Sequence, residues 1–186
     1  MATIENIEDF EGWKGSRIVD ASGRPRSVFK SMNLRDVSDM KMPAFFTDNL
    51  SNAEGFLDGQ EGVVIEAFLS IKNPFMTGHS KEESMAFIDL ARRAGVAVTV
   101  SETKHGWSFD APEISEHSPF DGTNLNHLVY IPAVQEQLKK EGYDGLMASE
   151  TMANYEIEAF VVLSHRQVLI TRVHVVNRDR QPGPGI

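Results

Sequence analysis

Two glutamates one residue apart, Glu156 and Glu158, stand directly before the apolar run Ala159-Phe-Val-Val-Leu163. On a β-strand, residues two apart point to the same face, so both carboxylates can enter one cleft. A fixed carboxylate stabilises positive charge that develops in a transition state, and a second beside it can orient or deprotonate an attacking group. A register shift of one residue would turn both away. Glu150, shortly after Gly145, is a third acidic candidate. The ordinary reading of the same pair is the solvated start of a strand. Lys30, in Ser27-Val28-Phe29-Lys30, is a surface lysine by default and an anion-binding group if it faces a cleft. Phe45, Phe46 and Phe56 are core residues by type, any one of which can offer a ring face to a flat ligand. Thr47 can pack, cap or present its hydroxyl.

Other chemistries lack their residues. The six histidines show no metal-ligand spacing, so no metal site is expected, and the chain has no cysteine for disulfide or thiolate chemistry. Neither a Gly-x-Gly-x-x-Gly nor a P-loop pattern occurs, so a dinucleotide would have to be held in a non-Rossmann way.

The elements that must position these residues follow from period and punctuation. Asp20-Ala-Ser-Gly23-Arg-Pro25 is turn chemistry, with a short strand after it over Ser27–Lys30. Pro43 precedes a second strand, Ala44–Thr47, and Asp48-Asn49-Leu50-Ser51 opens a helix to Phe56. Residues 62–71 alternate Val63, Ile65, Ala67, Leu69 and Ile71 on one face, and Asn73-Pro74 should end that strand. Ser80-Lys-Glu-Glu83 has capping-box form and predicts a helix to Arg93, stopped by Gly95. Val96–Val100 reads as a strand, 101–123 as a loop, and 124–141 as a helix broken before Pro132 and stopped at Gly142. Strands are expected at Gly145–Ser149, Ile157–Leu163 and Val168–Val176, the last with Arg172 and His174 as edge residues that discourage aggregation. Strands and helices without regular βαβ alternation predict an α+β fold.

At 186 residues the chain has the size of one domain, expected over 1–177 with a flexible tail at 178–186. With 41% hydrophobic and 24% charged residues a packed core is expected. The net charge of −9 argues against nucleic-acid binding, which rests on Lys and Arg. No apolar run is long enough for a membrane span, and the acidic start MATIENIEDFEGW lacks the layout of a signal peptide. A cytoplasmic location is the simplest expectation.

Six segments, in order, resemble the ADP-ribosyltransferase domains of phage and prophage polyvalent proteins. The first is Phe10-Glu-Gly-Trp13 with Val19-Asp20-Ala-Ser-Gly23-Arg-Pro25, similar to that family's aromatic opening and "VVD-x-x-G-x-P" turn. Ser27–Met32 falls where the family has "VVYHGT", and Ala44-Phe45-Phe46-Thr47-Asp48-Asn49, with Ala53 and Phe56, is similar to "FFTDN…A…Y". Leu69-Ser-Ile-Lys-Asn-Pro74 resembles "LSIKNP", Gly142-Tyr-Asp-Gly-Leu146 "GYDGI", and Phe160–Leu163 with Gln167-Val168 "YVVF…QI". The stretch 99–130 and the tail lie outside the resemblance.

The resemblance implies a split, twisted β-sandwich with peripheral helices that cradles NAD. It implies a mono-ADP-ribosyltransferase that moves ADP-ribose from NAD to a bacterial host protein and releases nicotinamide. One branch of the superfamily uses a His, a Tyr and a Glu; here those positions carry Lys30, Phe45 and Ala159. A second branch uses an Arg, a Ser/Thr segment and a Glu-x-Glu pair, which Lys30, Thr47 and Glu156/Glu158 match better. On that reading Glu158 stabilises the ribosyl cation, Glu156 serves the attacking side chain, and Lys30, Ser31, Phe45, Phe46, Thr47 and Phe56 hold NAD. The alternative reading is a catalytically inactive binding module of the same fold, for NAD or a protein partner. A third reading, an acidic decoy for a nucleic-acid-binding protein, rests on net charge alone.

Overall fold

The computed structural model describes residues 11–33, 40–104, 106–119, 124–152 and 155–177. Phe10 and the tail 178–186, on which two of the expectations fall, lie outside the described residues.

The strands assemble because apolar alternation meets apolar alternation. β1 (Val28–Met32), β2 (Ala44–Thr47), β3 (Gly62–Leu69), β4 (Pro74–Thr77), β7 (Gly145–Met152), β8 (Tyr155–Val162) and β9 (Val168–Val176) form one seven-stranded sheet in the order β4-β7-β8-β2-β1-β3-β9. Among the described strands of this sheet only β4 and β7 pair in parallel. A separate hairpin, β5 (Thr99–Thr103) and β6 (Gly106–Asp110), lies apart from it. The architecture is α+β and mostly sheet.

The helices sit where their caps place them. α1 (Leu50–Gly55) starts at Asn49, whose side chain accepts from the Ser51 amide. α2 (Lys81–Arg93) starts at Ser80, which accepts from the Glu83 amide, while the Glu83 carboxylate reaches back to His79 rather than to Ser80. Gly95 at φ 88° closes it, a conformation that costs glycine little. Ser84, Phe87, Ile88 and Ala91 share a helical stripe and are buried. α3 (Ile114–His117) is a single turn. The 124–141 region divides at Pro132 into a 3-10 helix, Leu125–Tyr130, and α4 (Pro132–Lys140).

Side-chain parity divides the molecule into two packed layers. On one sheet face Phe75, Leu146 and Val161 meet α2, α4 and the 3-10 helix, and the hairpin adds Trp107 and Phe109. A smaller cluster on this face packs Ala53 and Leu57 against Val64 and Phe29. The opposite face carries Val28, Ala44, Phe46, Ile65, Ala67, Leu69, Phe160 and Val162, covered by Ile18 and Met40 from irregular segments rather than by helices.

Three sequence expectations are corrected. Pro74 begins a strand instead of only ending one, because its missing N–H is tolerated on the edge strand β4. The expected 101–123 loop contains most of the β5–β6 hairpin and α3, and the expected Val96–Val100 strand starts at Thr99. Val100 pairs with Phe109 across that hairpin, an alternation split by the turn before Gly106, which has φ 131°. β9 is an edge strand, as expected, with Arg172 beside Glu66 in register.

Candidate functional site

Three of the six resemblance segments meet at one place. Asp144 accepts the amides of Lys72 and Asn73 at 2.8 and 2.9 Å, and the Asn73 side chain donates to the Gly142 carbonyl. Gln167 donates to the carbonyls of Ser70 and Asp144 and accepts the amides of Leu163 and Ser164. The residue types in these segments therefore have a structural cause: they satisfy backbone groups where β3 and β8 end and β4, β7 and β9 begin. Nearer the N-terminus, Asp20 accepts from Ser22 and Arg24, chiefly through the Ser22 hydroxyl, and this holds its carboxyl below the usual range.

The acidic pair lies on β8. Glu158 is paired with Ser149, and Glu156 with Thr151. Phe160 lies two residues on, so parity puts both glutamates on the helix-free face. Glu156 is exposed. Glu158 is half-buried and meets Arg26 at 2.6 Å, while Arg26 also meets Asp48 at 2.9 Å. The register that sets Thr47 against Ala159 brings Asp48 beside Glu158 when carried one residue further. The Arg26 guanidinium lies 5.6 Å from the centre of the Phe160 ring, so the group rests on an aromatic floor.

Lys30 shares this face but not the ion cluster. It pairs with Ile65 and lies in one row with Phe46, two strands from β8 and about 10 Å across the sheet from it. Burial pushes its amine down to about 8. Phe46 is 2% exposed and belongs to the core beneath.

The remaining candidates face the other way. Ser31 lies on β1 opposite Val64. Thr47, 4% exposed, and Phe45 sit on the helical face with Ala159 and Val161. Phe45 stacks on Tyr130 at 5.4 Å and meets the edge of His127 at 6.1 Å. The His127 Nδ1 lies 3.3 Å from the Ser118 hydroxyl, and burial lowers its imidazole below the ordinary value. Phe56 is 48% exposed at the end of α1 and joins neither group, because the helix directs it outward. Glu150 pairs with Ile157, and its side chain lies outside what the structure describes.

The nine candidates therefore do not converge on one cleft. Parity places Lys30, Phe46, Glu156 and Glu158 on one face, and Ser31, Phe45 and Thr47 on the other. The sequence reading missed Arg26, whose partners are 22 and 132 positions away and which nothing local distinguishes from Arg17 or Arg24. It also missed His127 and Tyr130, which lie in the stretch the resemblance does not cover. Among the described residues no three His, Asp or Glu side chains gather as metal ligands, and no helix is long and apolar enough to cross a membrane. No protein-family model, no curated protein and no solved structure matches this chain.

Proposed function

We propose that this chain has the ADP-ribosyltransferase fold of phage- and prophage-type proteins and serves as a binding module, for NAD or for a protein of the bacterial host, without ordinary transferase chemistry. The α+β, mostly-sheet architecture and the junction of three resemblance segments at Asp144 and Gln167 support the fold. The observation that carries the loss of chemistry is the division by parity. Lys30, Phe45 and Ala159 stand at the positions of the family's His, Tyr and Glu. Ala159 is 5% exposed, and the Glu156/Glu158 pair faces away from Phe45 and Thr47.

A second reading is a mono-ADP-ribosyltransferase that uses Glu158. It is favoured by one feature: Arg26 fixes that carboxylate in a half-buried position beside Asp48. In that reaction the bond from the ribose C1′ to the nicotinamide nitrogen breaks and nicotinamide leaves with the electron pair. Glu158 stabilises the ribosyl cation until a host side chain captures it.

One experiment separates them: incubation with NAD and a bacterial lysate, read by mass shift, with Glu158→Gln as control. The binding module predicts no modified proteins and no nicotinamide release. Modified bands that vanish in Glu158→Gln establish the transferase instead. With no bands, thermal protection by NAD identifies a nucleotide-binding module, and its absence identifies one for protein partners.

A further inference from the structure

The sheet ends in two edge strands that are built differently. β4 is four residues long and opens on Pro74, which cannot donate to a further strand. β9 runs for nine residues, Val168–Val176, without a proline. Its one strand partner is β3. The Val168 amide closes the preceding 3-10 turn on His165, and beyond it no other backbone hydrogen bond among the described residues reaches β9. Alternate N–H and C=O groups along β9 therefore point outward, in position to receive another strand.

The two faces of this edge differ in chemistry. Val168, Ile170, Val173 and Val175 lie on the helix-free face, and the register shift at Glu66 sets the last two opposite Ile65 and Val63. Val175 is 64% exposed and continues the row of Met32 and Val63 to the rim of the sheet. Arg172 and His174 lie on the other face, opposite Glu66 and Val64. The Glu66 carboxylate meets His174 at 3.3 Å, whereas among the described residues no ion pair holds the exposed Arg172. Charge is segregated here as well. Between Glu158 and Asp179 the sequence carries Arg166, Arg172, Arg178, His165 and His174 and no acid, in a chain with a net charge of −9. A second copy paired through its own β9 would bring like charges together, which opposes self-pairing. An acidic strand meets the same charges with the opposite sign.

We propose that the β9 edge is a docking site for an extended acidic peptide of a protein partner, which adds to the seven-stranded sheet as one further strand. Its side chains alternate, apolar ones beside Val173 and Val175 and carboxylates beside Arg172 and His174. Main-chain hydrogen bonds supply affinity, and the alternation of apolar and acidic residues selects the partner. β2, β1 and β3 separate this edge from Glu158 on β8, so the site does not depend on NAD binding or transfer chemistry.

The test uses the isotope-labelled full chain and three fluorescent peptides matched in length to β9. One alternates valine with glutamate, one alternates valine with lysine, and one is the glutamate peptide interrupted by proline. In the free protein the outward amides of β9 should exchange freely with solvent. The glutamate peptide should protect them and shift the amide resonances of Val173 to Val175 most. The lysine peptide should bind at least about tenfold more weakly, although the net charge of −9 favours it over the surface as a whole. The interrupted peptide should not bind, because it cannot complete the ladder. Arg172→Gln should weaken the glutamate peptide about threefold. The wild-type chain decides the matter without that variant. No binding of the glutamate peptide up to about 1 mM overturns the proposal, as does a lysine peptide that binds equally well, or shifts centred away from β9. Outward β9 amides already protected in the free protein also overturn it. Protection that rises with protein concentration would give the edge to a second copy, and protection independent of concentration to another part of this chain.

Discussion

The two faces of the sheet are built from the same strands and differ in what they tolerate. The helical face is closed by α2, α4 and the 3-10 helix, and its residues at Leu146, Val161, Phe87 and Leu138 are buried. The opposite face has an aromatic and aliphatic floor of Phe46, Phe160 and Ile65, but it also holds Lys30 among them and the ion cluster of Arg26, Asp48 and Glu158. Helices cover a sheet with continuous apolar stripes, whereas irregular segments such as the one bearing Ile18 leave gaps where charged side chains reach water. A change of one residue along β8 therefore moves a carboxylate between two environments, which makes neighbouring substitutions there informative.

The largest contrast is expected at Ala159→Glu. This restores the carboxylate that the resemblance places there, but on the closed face at a position 5% exposed. Burial of an unpaired acid should cost about 3–5 kcal/mol, read as a lower urea midpoint at unchanged slope. A variant as stable as the parent would reveal room and polarity on the helical face and weaken the comparison.

Lys30→Met is expected to act in the opposite direction. The folded chain holds the Lys30 amine at about 8 against the ordinary 10.5, so the unfolded chain binds that proton more tightly. This term therefore lowers stability below about pH 8 and fades as pH rises toward 10.5. At pH 7 the methionine variant should be more stable by about 1–3 kcal/mol, allowing for partial exposure. Its advantage over the parent should shrink between pH 8 and 10.5, measured by thermal unfolding across that range. An advantage that does not change with pH would assign the gain to packing rather than to charge.

The smallest effect is expected at Glu158→Gln. Arg26 keeps Asp48, the group is about one-third exposed, and such pairs contribute about 0–1 kcal/mol. A loss well above that would mean that Arg26, Asp48 and Glu158 act as one cooperative unit, and a double-mutant cycle with Asp48→Asn would measure the coupling.

The Ser80 cap and Gly95 stop fix α2 because capping is local: the groups that end a helix lie within four positions of it. The alternation through Ile65, Ala67 and Leu69 marks β3 for the same kind of reason. β4 was hidden because its partner β7 lies about seventy positions away, and the parallel pairing that makes Pro74–Thr77 a strand leaves no local pattern. The β5–β6 hairpin was hidden by a short alternation with polar residues on its outward side.

By itself, then, the sequence determined the α+β class, most of the elements, and the turn and cap residues, since propensity, period and capping act over a few positions of chain. It also carried the motif residues Asp144, Asn73 and Gln167, though not the fact that they serve one another. Only the tertiary structure decided which face each strand turns to its neighbour. It was tertiary contact that gave Glu158 to Arg26, buried the Lys30 amine and brought His127 and Tyr130 onto Phe45. The physical reason is that strand registry depends on pairing between distant segments, and a period of two leaves both faces equally available until that pairing is made.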